Sequence, residues 1–280
     1  MREHLQRQGF LGPNSDERIV SARGGIVGLC GGGSHVAQHL AHIGLGRFEL
    51  MDFDRADDTN RNRMVGLTAR AARLQRPKTD VIRKLVKAVN PSAKVNTFTG
   101  RWQDNATALR SCDIIFGCVD SYEQRRQLEL FARRYLIPYI DVGMDVTGEE
   151  GRFVISGQVI LSMPGCPCMR CMGFLTEELL VAEANQYGAA GGRPQVVWPN
   201  GVLASTAVGL FMNLLTPWNG AAPPPLYSEY DGNRMTVTPS RRLMYLNGMK
   251  CPHFPLEPGG LGDVNWGPAK PGACRSIPGI

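Results

Sequence analysis

The sequence contains no long apolar run. Its longest apolar stretch, Val202 to Leu215, is interrupted by Ser205, Thr206 and Asn213, so it is too short and too polar to cross a bilayer. The first residues, MREHLQRQ, lack the apolar core of a signal peptide. We therefore expect a cytoplasmic protein without membrane contact, in which Val202 to Leu215 forms a buried helix.

The sequence also lacks a block of charge of one sign. Its net charge is +6, but Lys and Arg are scattered among acidic residues, with denser spots at residues 61–76 and 125–134. No nucleic-acid-binding module accompanies this charge, so we expect no nucleic-acid partner. An acidic protein and a phosphate-rich ligand are both compatible with it. An apolar content of 43% and a charged content of 20% indicate a globular chain instead of a disordered one.

A disulfide framework is absent as well. The eight cysteines are spread over 280 residues, unlike the dense pattern of a small secreted protein. Cys166, Cys168 and Cys171 lie within six residues, which favours a metal site or a reactive thiol, whereas residues 172–250 contain no cysteine.

The first strong pattern is a strand, a glycine turn, a helix and a second strand. GGIVGL is a short apolar strand, CGGGS the turn, and HVAQHLAHIGLG a helix that ends at Gly44 and Gly46, since glycine is a good helix stop. RFELMDFD is a strand that ends at Asp52 and Asp54. This order predicts one βαβ unit of a parallel sheet.

Strands and helices continue to alternate through the first half. KVNTFTG, CDIIFGCVD and IPYIDVGMD are predicted strands, separated by helices at Thr79 to Val89 and SYEQRRQLELFARRYL. We therefore expect an α/β fold with a Rossmann-like, doubly wound and mostly parallel sheet.

The second half departs from this alternation. FVISGQVILSMPG is predicted to form strands, Glu177 to Ala190 a helix or a mobile crossover, and GGRPQVVWPNG a loop. Trp198 is expected to pack in the core, and the alternative is that it lines a channel. We expect a single domain over residues 1–280, with an embellished C-terminal part. Its predicted parts are a nucleotide-binding core at 1–171, a crossover loop at 172–200, and a return helix with C-terminal strands at 201–280.

The glycine turn predicts a phosphate site. Gly28, Gly31 and Gly33 let the backbone approach a phosphate at the N-terminus of the following helix, and Asp52, about twenty residues on, is placed to accept ribose hydroxyls. The alternative is a tight turn that binds no ligand.

Further charges favour ATP over NAD. Asp54, the segment DDTNRNR, Lys78 and Asp120 follow in order. Hydride transfer needs none of these charges, whereas phosphoryl or nucleotidyl transfer depends on Arg, Lys and Mg²⁺ to neutralise phosphate oxygens.

The segment VGLCGGGSHVAQHLAHIGLGRFELMDFDRADDTNRNR resembles the signature of the ThiF/MoeB/HesA family, relatives of the ubiquitin-activating enzymes. Pro77-Lys78, Asn90-Pro91, a strand ending CVDS, a helix with Arg125 and Arg126, and a Cys-x-x-Cys follow in the family's order. The resemblance covers roughly residues 5–215.

The resemblance implies an adenylyltransferase with a set of site residues. The nucleotide would be held by Gly28, Gly31, Gly33, Asp52, Asp54, Asn60, Arg63 and Lys78. Catalytic roles would fall to Arg63 and Lys78 at the phosphates, to Asp120 as the Mg²⁺ ligand, and to Arg7, which would reach the partner subunit's ATP in a homodimer. Each charged residue has the alternative role of a surface ion pair.

The implied reaction is adenylation of a C-terminal glycine carboxylate, with release of pyrophosphate. The partner would be a ubiquitin-like or sulfur-carrier protein ending in Gly-Gly, followed by a conjugating enzyme or a sulfur transferase. Adenylation of a short peptide or another carboxylate, an NAD-binding oxidoreductase and a non-catalytic scaffold remain alternatives. Cys30 stands where the family has glycine, so a side chain enters the turn.

The cysteines predict a zinc site. Cys168 and Cys171 form a common half-site for structural zinc. The family supplies a second Cys-x-x-Cys near the C-terminus, where this chain has Cys251-Pro-His253. We expect one tetrahedral zinc on Cys168, Cys171, Cys251 and His253, with Cys274 as the alternative fourth ligand; a cluster of reduced thiols is the other possibility. The lack of a cysteine after the half-site indicates a protein that stops at the adenylate, or one that uses a thiol elsewhere, such as Cys166.

Overall fold

One sheet of eight strands organises the chain. The computed structural model describes residues 3–185, 194–220, 222–246, 248–249 and 251–254. The strands are Arg23–Val27 (β1), Arg47–Asp52 (β2), Lys94–Thr99 (β3), Ile114–Gly117 (β4), Tyr139–Thr147 (β5), Val154–Ser162 (β6), Tyr227–Asp231 (β7) and Thr236–Pro239 (β8). Their order in the sheet is β3-β2-β1-β4-β5-β6-β7-β8.

The first five strands pair in parallel and the last three extend the sheet in antiparallel fashion. The predicted α/β fold with a Rossmann-like, mostly parallel sheet is therefore confirmed, as is the departure at FVISGQVILS, which forms β6. The chain crosses from β3 back past β1 to β4, so the strand order reverses between β1 and β4. Ligands of doubly wound sheets bind at the carboxyl ends of the strands at such a reversal.

Helices cover both faces of the sheet. They are Ser15–Ser21 (α1), Gly31–His42 (α2), Ala69–Arg73 (α3), Lys78–Val89 (α4), Tyr122–Arg134 (α5), Glu177–Asn185 (α6) and Val197–Leu215 (α7). Short 3₁₀ segments lie at Glu3–Leu11, Asp58–Asn60, Trp102–Ser111 and Arg241–Leu246. Among the described residues, no helix combines the length and the apolar character needed to cross a membrane.

Neighbouring residues of β1 enter separate cores, because successive side chains of a strand point to opposite faces. Ile26 packs in the core formed with α2, α4 and α7, whereas Val27 packs in the core formed with α5. Burial on both faces explains why the central strand β4, IIFG, reads as a continuous apolar run.

Helix α7 begins earlier than predicted. The segment GGRPQVVWPNG was expected to be a loop, but its last five residues form the first turns of the helix. Pro199 is compatible with this start, because the first N–H groups of a helix have no intrahelical partner to lose. The prediction of a core tryptophan is also wrong, since Trp198 is 56% exposed on this first turn. In the predicted crossover, Glu177–Asn185 is helical and residues 186–193 lie outside the described residues.

Candidate functional site

A cavity of about 520 Å³ opens at the carboxyl ends of β1, β2 and β4. This is the strand-order reversal at which a doubly wound sheet binds its ligands, and the volume lies in the range of small-molecule sites. The glycine turn after β1, the segment after β2 and the turn after β4 all line it.

The glycine turn fits tightly beneath the cavity. Gly28 has φ +86°, and a Cβ there would overlap the backbone carbonyl of Cys118. Gly31 lines the cavity beside Asn200, while Gly33 does not line it and packs instead against the carbonyl of Gly28. Of the three predicted glycines, two therefore face the cavity and one permits the close crossing of strand and helix.

Cys30 is the N-cap residue of α2 and lines the cavity. No side chain caps the first turn of α2, so its backbone N–H groups are available to an anion. Burial raises the pKa of the Cys30 thiol, against the opposing effect of the Lys78 and Arg63 cations. Cys30, the residue that departs from the family pattern, is therefore a neutral thiol at the N-terminus of α2.

Asp52 is fixed at the end of β2 by two backbone donors. Leu29 N donates to its Oδ2 at 2.7 Å and Asp54 N to its Oδ1 at 2.8 Å. Burial raises the pKa of this carboxyl, and the Lys78 cation and the two hydrogen bonds oppose that rise. Asp52 thus ties the glycine turn to the next strand, and each oxygen keeps a lone pair for a further donor.

Lys78 and Asp54 form an ion pair at the cavity wall. The Lys78 Nζ lies 2.7 Å from Asp54 Oδ2, and Lys78 is only 6% exposed. Burial lowers the pKa of Lys78, but Asp52, Cys30 and Asp54 outweigh burial and the pKa is raised overall. Lys78 is therefore a fixed cation at neutral pH.

Asn60 and Arg63 lie in the segment after β2. Asn60 is buried, and its Oδ1 accepts from Asp57 N at 3.3 Å. Arg63 Nη1 donates to Thr59 O at 2.8 Å and to Asn62 Oδ1 at 3.0 Å. Its Nε is buried and has no hydrogen-bond partner among the described residues. A buried guanidinium donor that lacks an acceptor suits a phosphate oxygen.

Asp120 lines the same cavity as these cations and lies three residues after β4. It is exposed, and its Oδ1 accepts a long hydrogen bond of 3.4 Å from Gln195 Nε2. An accessible carboxylate with hard oxygen atoms fits a Mg²⁺ ion.

Arg7 does not line the cavity of its own chain. It is exposed on the 3₁₀ segment Glu3–Leu11, while its neighbour Gln8 donates to Ile43 O at 3.2 Å. The other predicted polar and charged residues share the cavity: Asp52, Asp54, Asn60, Arg63, Lys78 and Asp120.

The four predicted zinc ligands form a second cluster. The donor atoms of Cys168, Cys171, Cys251 and His253 lie within 4.8 Å of one another. Two sulfur pairs are 3.6 and 3.7 Å apart, and His253 Nδ1 is 3.4 and 3.3 Å from the sulfurs of Cys168 and Cys171. A tetrahedral zinc would set sulfur–sulfur separations of about 3.8 Å and sulfur–nitrogen separations of about 3.5 Å. The donor set therefore fits zinc; Cys274 lies outside the described residues.

Two residues behind this cluster were missed by the sequence analysis. The Glu129 carboxylate accepts from Met169 N at 2.8 Å, and Arg133 Nη2 donates to Cys166 O at 2.9 Å. Glu129 and Arg133 are buried charges one helical turn apart in α5. The available signal was a Glu and an Arg at i and i+4 on the buried face of a helix. They hold the backbone of the first half-site.

The fold and this cavity define a doubly wound α/β protein with a cavity where the strand order reverses. The model of the ThiF family matches residues 2–252. The chain belongs to the ThiF family.

Curated relatives are similar over about half of their own length. The chain is 30% identical over 129 residues to a molybdopterin-synthase adenylyltransferase of Haemophilus influenzae, covering 45% of this chain and 52% of that protein. It is 30% identical over 145 residues to a tRNA threonylcarbamoyladenosine dehydratase of the same organism, covering 49% of this chain and 55% of that protein. A ubiquitin-like modifier-activating enzyme 5 of Caenorhabditis elegans is 25% identical over 182 residues, or 60% of this chain and 41% of that protein.

Solved structures share the fold. Escherichia coli MccB with ATP superposes with a TM-score of 0.68 at 19% identity, covering 86% of this chain and 71% of that one. The microcin C7 biosynthetic enzyme MccB in complex with N-formylated MccA gives a TM-score of 0.65 at 18% identity, covering 81% and 66%.

Proposed function

We propose that this chain adenylates the C-terminal carboxylate of a protein substrate, using ATP bound in the cavity at the strand reversal. One observation carries the proposal: the uncapped N-terminus of α2, the fixed cation Lys78, the Arg63 side chain and the carboxylate of Asp120 all line the same cavity. Cations and a free helix N-terminus suit a polyphosphate.

In the proposed reaction an oxygen of the substrate carboxylate attacks the α-phosphorus of ATP. The bond from that phosphorus to the bridging oxygen breaks, and pyrophosphate leaves with its electron pair, so no proton has to move. Lys78 and Arg63 would neutralise phosphate oxygens, and Asp52 would orient the ribose. Asp120 would hold a Mg²⁺ ion, which supplies further neutralisation of phosphate charge when bound.

The names of the relatives support the proposed substrate class. Names such as molybdopterin-synthase adenylyltransferase and ubiquitin-like modifier-activating enzyme 5 support a ubiquitin-like or sulfur-carrier protein with a Gly-Gly tail. A short peptide is the second candidate, because the chain shares its fold with MccB, which was solved in complex with MccA.

The test is pyrophosphate release from Mg-ATP with a panel of ubiquitin-like proteins, their tail-truncated forms and short peptides. The proposal expects release that needs both an intact tail and Asp120, with Asp120→Ala as the control variant. Release with peptides alone would replace the protein substrate by a peptide. Binding of NADH without binding of ATP would support the oxidoreductase instead. The absence of any nucleotide binding would support a non-catalytic scaffold.

We place a structural zinc on Cys168, Cys171, Cys251 and His253, supported by the fit of their separations to a tetrahedral site. The tetrahedral set has no open position, so zinc would bind the two halves of the cluster together instead of taking part in the reaction.

The proposed active form is a homodimer. The outer face of α7 exposes Val197, Trp198 and Val202, and an exposed apolar helix face of this kind favours burial against a second copy. Arg7 of each chain would then complete the partner's site. Light scattering tests this: the native chain is expected at twice the monomer mass and Trp198→Glu at the monomer mass, whereas a monomeric native chain would contradict it.

A further inference from the structure

Helix α6 is held to the rest of the molecule by an ionic cap. None of its residues is buried, and its apolar residues Leu179 and Val181 are exposed. Its residue Glu183 reaches the N-terminus of α5, where its carboxylate accepts from Ser121 Oγ at 3.0 Å, from Tyr122 N at 2.9 Å and from Glu123 N at 2.9 Å. The anchor of α6 is therefore polar: an ion pair between Arg170 and Glu177 holds its first residue, and Glu183 holds its last turn against α5.

This cap completes the first turn of α5. The first N–H groups of a helix lack intrahelical acceptors. Ser121 Oγ accepts from Gln124 N at 3.2 Å, and Glu183 satisfies the two preceding N–H groups. A carboxylate at this end also interacts favourably with the helix dipole, and its hydrogen bonds are charge-assisted. A residue about sixty positions away thus fixes the conformation of the turn.

The turn that Glu183 fixes carries Asp120. Asp120 directly precedes the N-cap residue Ser121 and lines the cavity. On its other side, Gln195 Nε2 donates to Asp120, and Gln195 O accepts from Asn62 Nδ2 at 2.9 Å. Two residues of the crossover therefore contact this one turn: Gln195 at the Asp120 carboxylate, and Glu183 at the three residues that follow Asp120.

We propose that Glu183 is a positioning residue for Asp120, and that it couples the docking of α6 to the binding of ATP with its metal. The inference rests on the proposed function, in which Asp120 holds Mg²⁺. Glu183 itself does not line the cavity; it acts by holding the backbone from which the Asp120 side chain extends.

The test compares the native chain with Glu183→Gln, which keeps the size of the side chain but removes its charge and one acceptor. Hydrogen exchange of the peptide at residues 118–128 reports the cap without any nucleotide. Titration with ATP, in magnesium and in EDTA, reports whether Asp120 still supports the binding of magnesium with ATP. Glu178→Gln is the matched control, since Glu178 is an exposed residue of the same helix.

We expect Glu183→Gln to speed exchange of the Tyr122 and Glu123 amides about tenfold, because charge-assisted hydrogen bonds are lost. The dissociation constant for ATP with magnesium should rise about tenfold, while the value in EDTA stays within about twofold. Glu178→Gln should change neither measurement.

Unchanged hydrogen exchange of the Tyr122 and Glu123 amides in Glu183→Gln would contradict the role of Glu183 as the cap of α5. Faster exchange with unchanged affinity for magnesium-ATP would show a purely structural cap and overturn the positioning role. If the native chain binds no ATP, the proposed function fails and the role of Asp120 fails with it, whereas the exchange measurement still decides whether Glu183 caps α5.

Discussion

At the scale of single residues, the cavity depends on a lysine held between carboxylates. Lys78 is buried and paired with Asp54, and its raised pKa keeps it charged across the neutral range. Because its position is set by the protein before any ligand arrives, it can meet phosphate oxygens without reorganisation.

The variant Lys78→Met tests this cation. The variant keeps an unbranched side chain but removes the cation that would bind phosphate. It also leaves Asp52 and Asp54 without their positive partner, so both changes should weaken phosphate binding. We expect the ATP dissociation constant to rise about 10- to 100-fold, measured by calorimetry. Lys84→Met, an exposed position on the same helix, should change the constant less than about twofold. Equal binding by the native chain and Lys78→Met would contradict the assignment.

Cys30 gives a prediction about pH. Burial raises the pKa of its thiol above the ordinary value, and the thiolate is the form that alkylates. At neutral pH the folded chain should therefore react with iodoacetamide at Cys30 more slowly than the same chain unfolded in urea, and the rate should climb as the pH rises through the raised pKa. Bound ATP should slow the reaction further. Peptide mapping measures each rate, and a rapid neutral reaction in the folded chain would contradict this environment.

At the scale of elements, the turn between β1 and α2 is the most constrained part of the site. Gly28→Ala would place a methyl group against the Cys118 carbonyl at φ +86°, and we expect a loss of about 1–3 kcal/mol in the free energy of unfolding. Gly32→Ala is the matched control, since its Cβ would meet Val142 at an ordinary 3.5 Å within a helix, where alanine is preferred. Urea unfolding of both variants is the measurement; equal stability would contradict the close packing.

The cluster of Cys168, Cys171, Cys251 and His253, which we propose binds zinc, brings together two segments that are distant in sequence. Protein purified without chelator should contain one zinc per chain, and Cys251→Ser should lose it and melt at least about 5 °C lower, because metal binding contributes directly to folding. Cys166→Ser is the control, since Cys166 lies beside the cluster but is not one of its four members. Cys274→Ser should also keep the metal. Native protein without zinc, or zinc that survives Cys251→Ser, would contradict the ligand set.

Local signals explain how much of these elements the sequence predicts. The βαβ unit can be predicted because a glycine turn between two buried strands leaves a clear local pattern. The Cys/His cluster can be predicted because its four residues come in two closely spaced pairs. The start of α7 was missed because Pro199 reads as a loop residue, although it is tolerated in a first turn. The contacts of Glu183 and Gln195 with the Asp120 turn join segments more than sixty residues apart, and no local pattern encodes them.

At the scale of the whole molecule, the sheet consists of a parallel half and an antiparallel extension. Its parallel half holds the cavity, and its antiparallel extension, β6 to β8, adds strands on the far side of β5. Of the described residues of the crossover, which follows β6 in the chain, Glu183 contacts the turn that carries Asp120 and Gln195 contacts Asp120 itself. The proposed site is therefore built from the parallel half of the sheet and completed by residues of the crossover.

The most direct test of the central claim is exchange of labelled pyrophosphate into ATP. Adenylation of a carboxylate is reversible on the protein, so we predict that label enters ATP only when a partner with an intact C-terminal tail is present, and that Asp120→Ala abolishes the exchange. Release of phosphate and ADP, or release of pyrophosphate with no label returning to ATP under any partner, would contradict an acyl-adenylate intermediate.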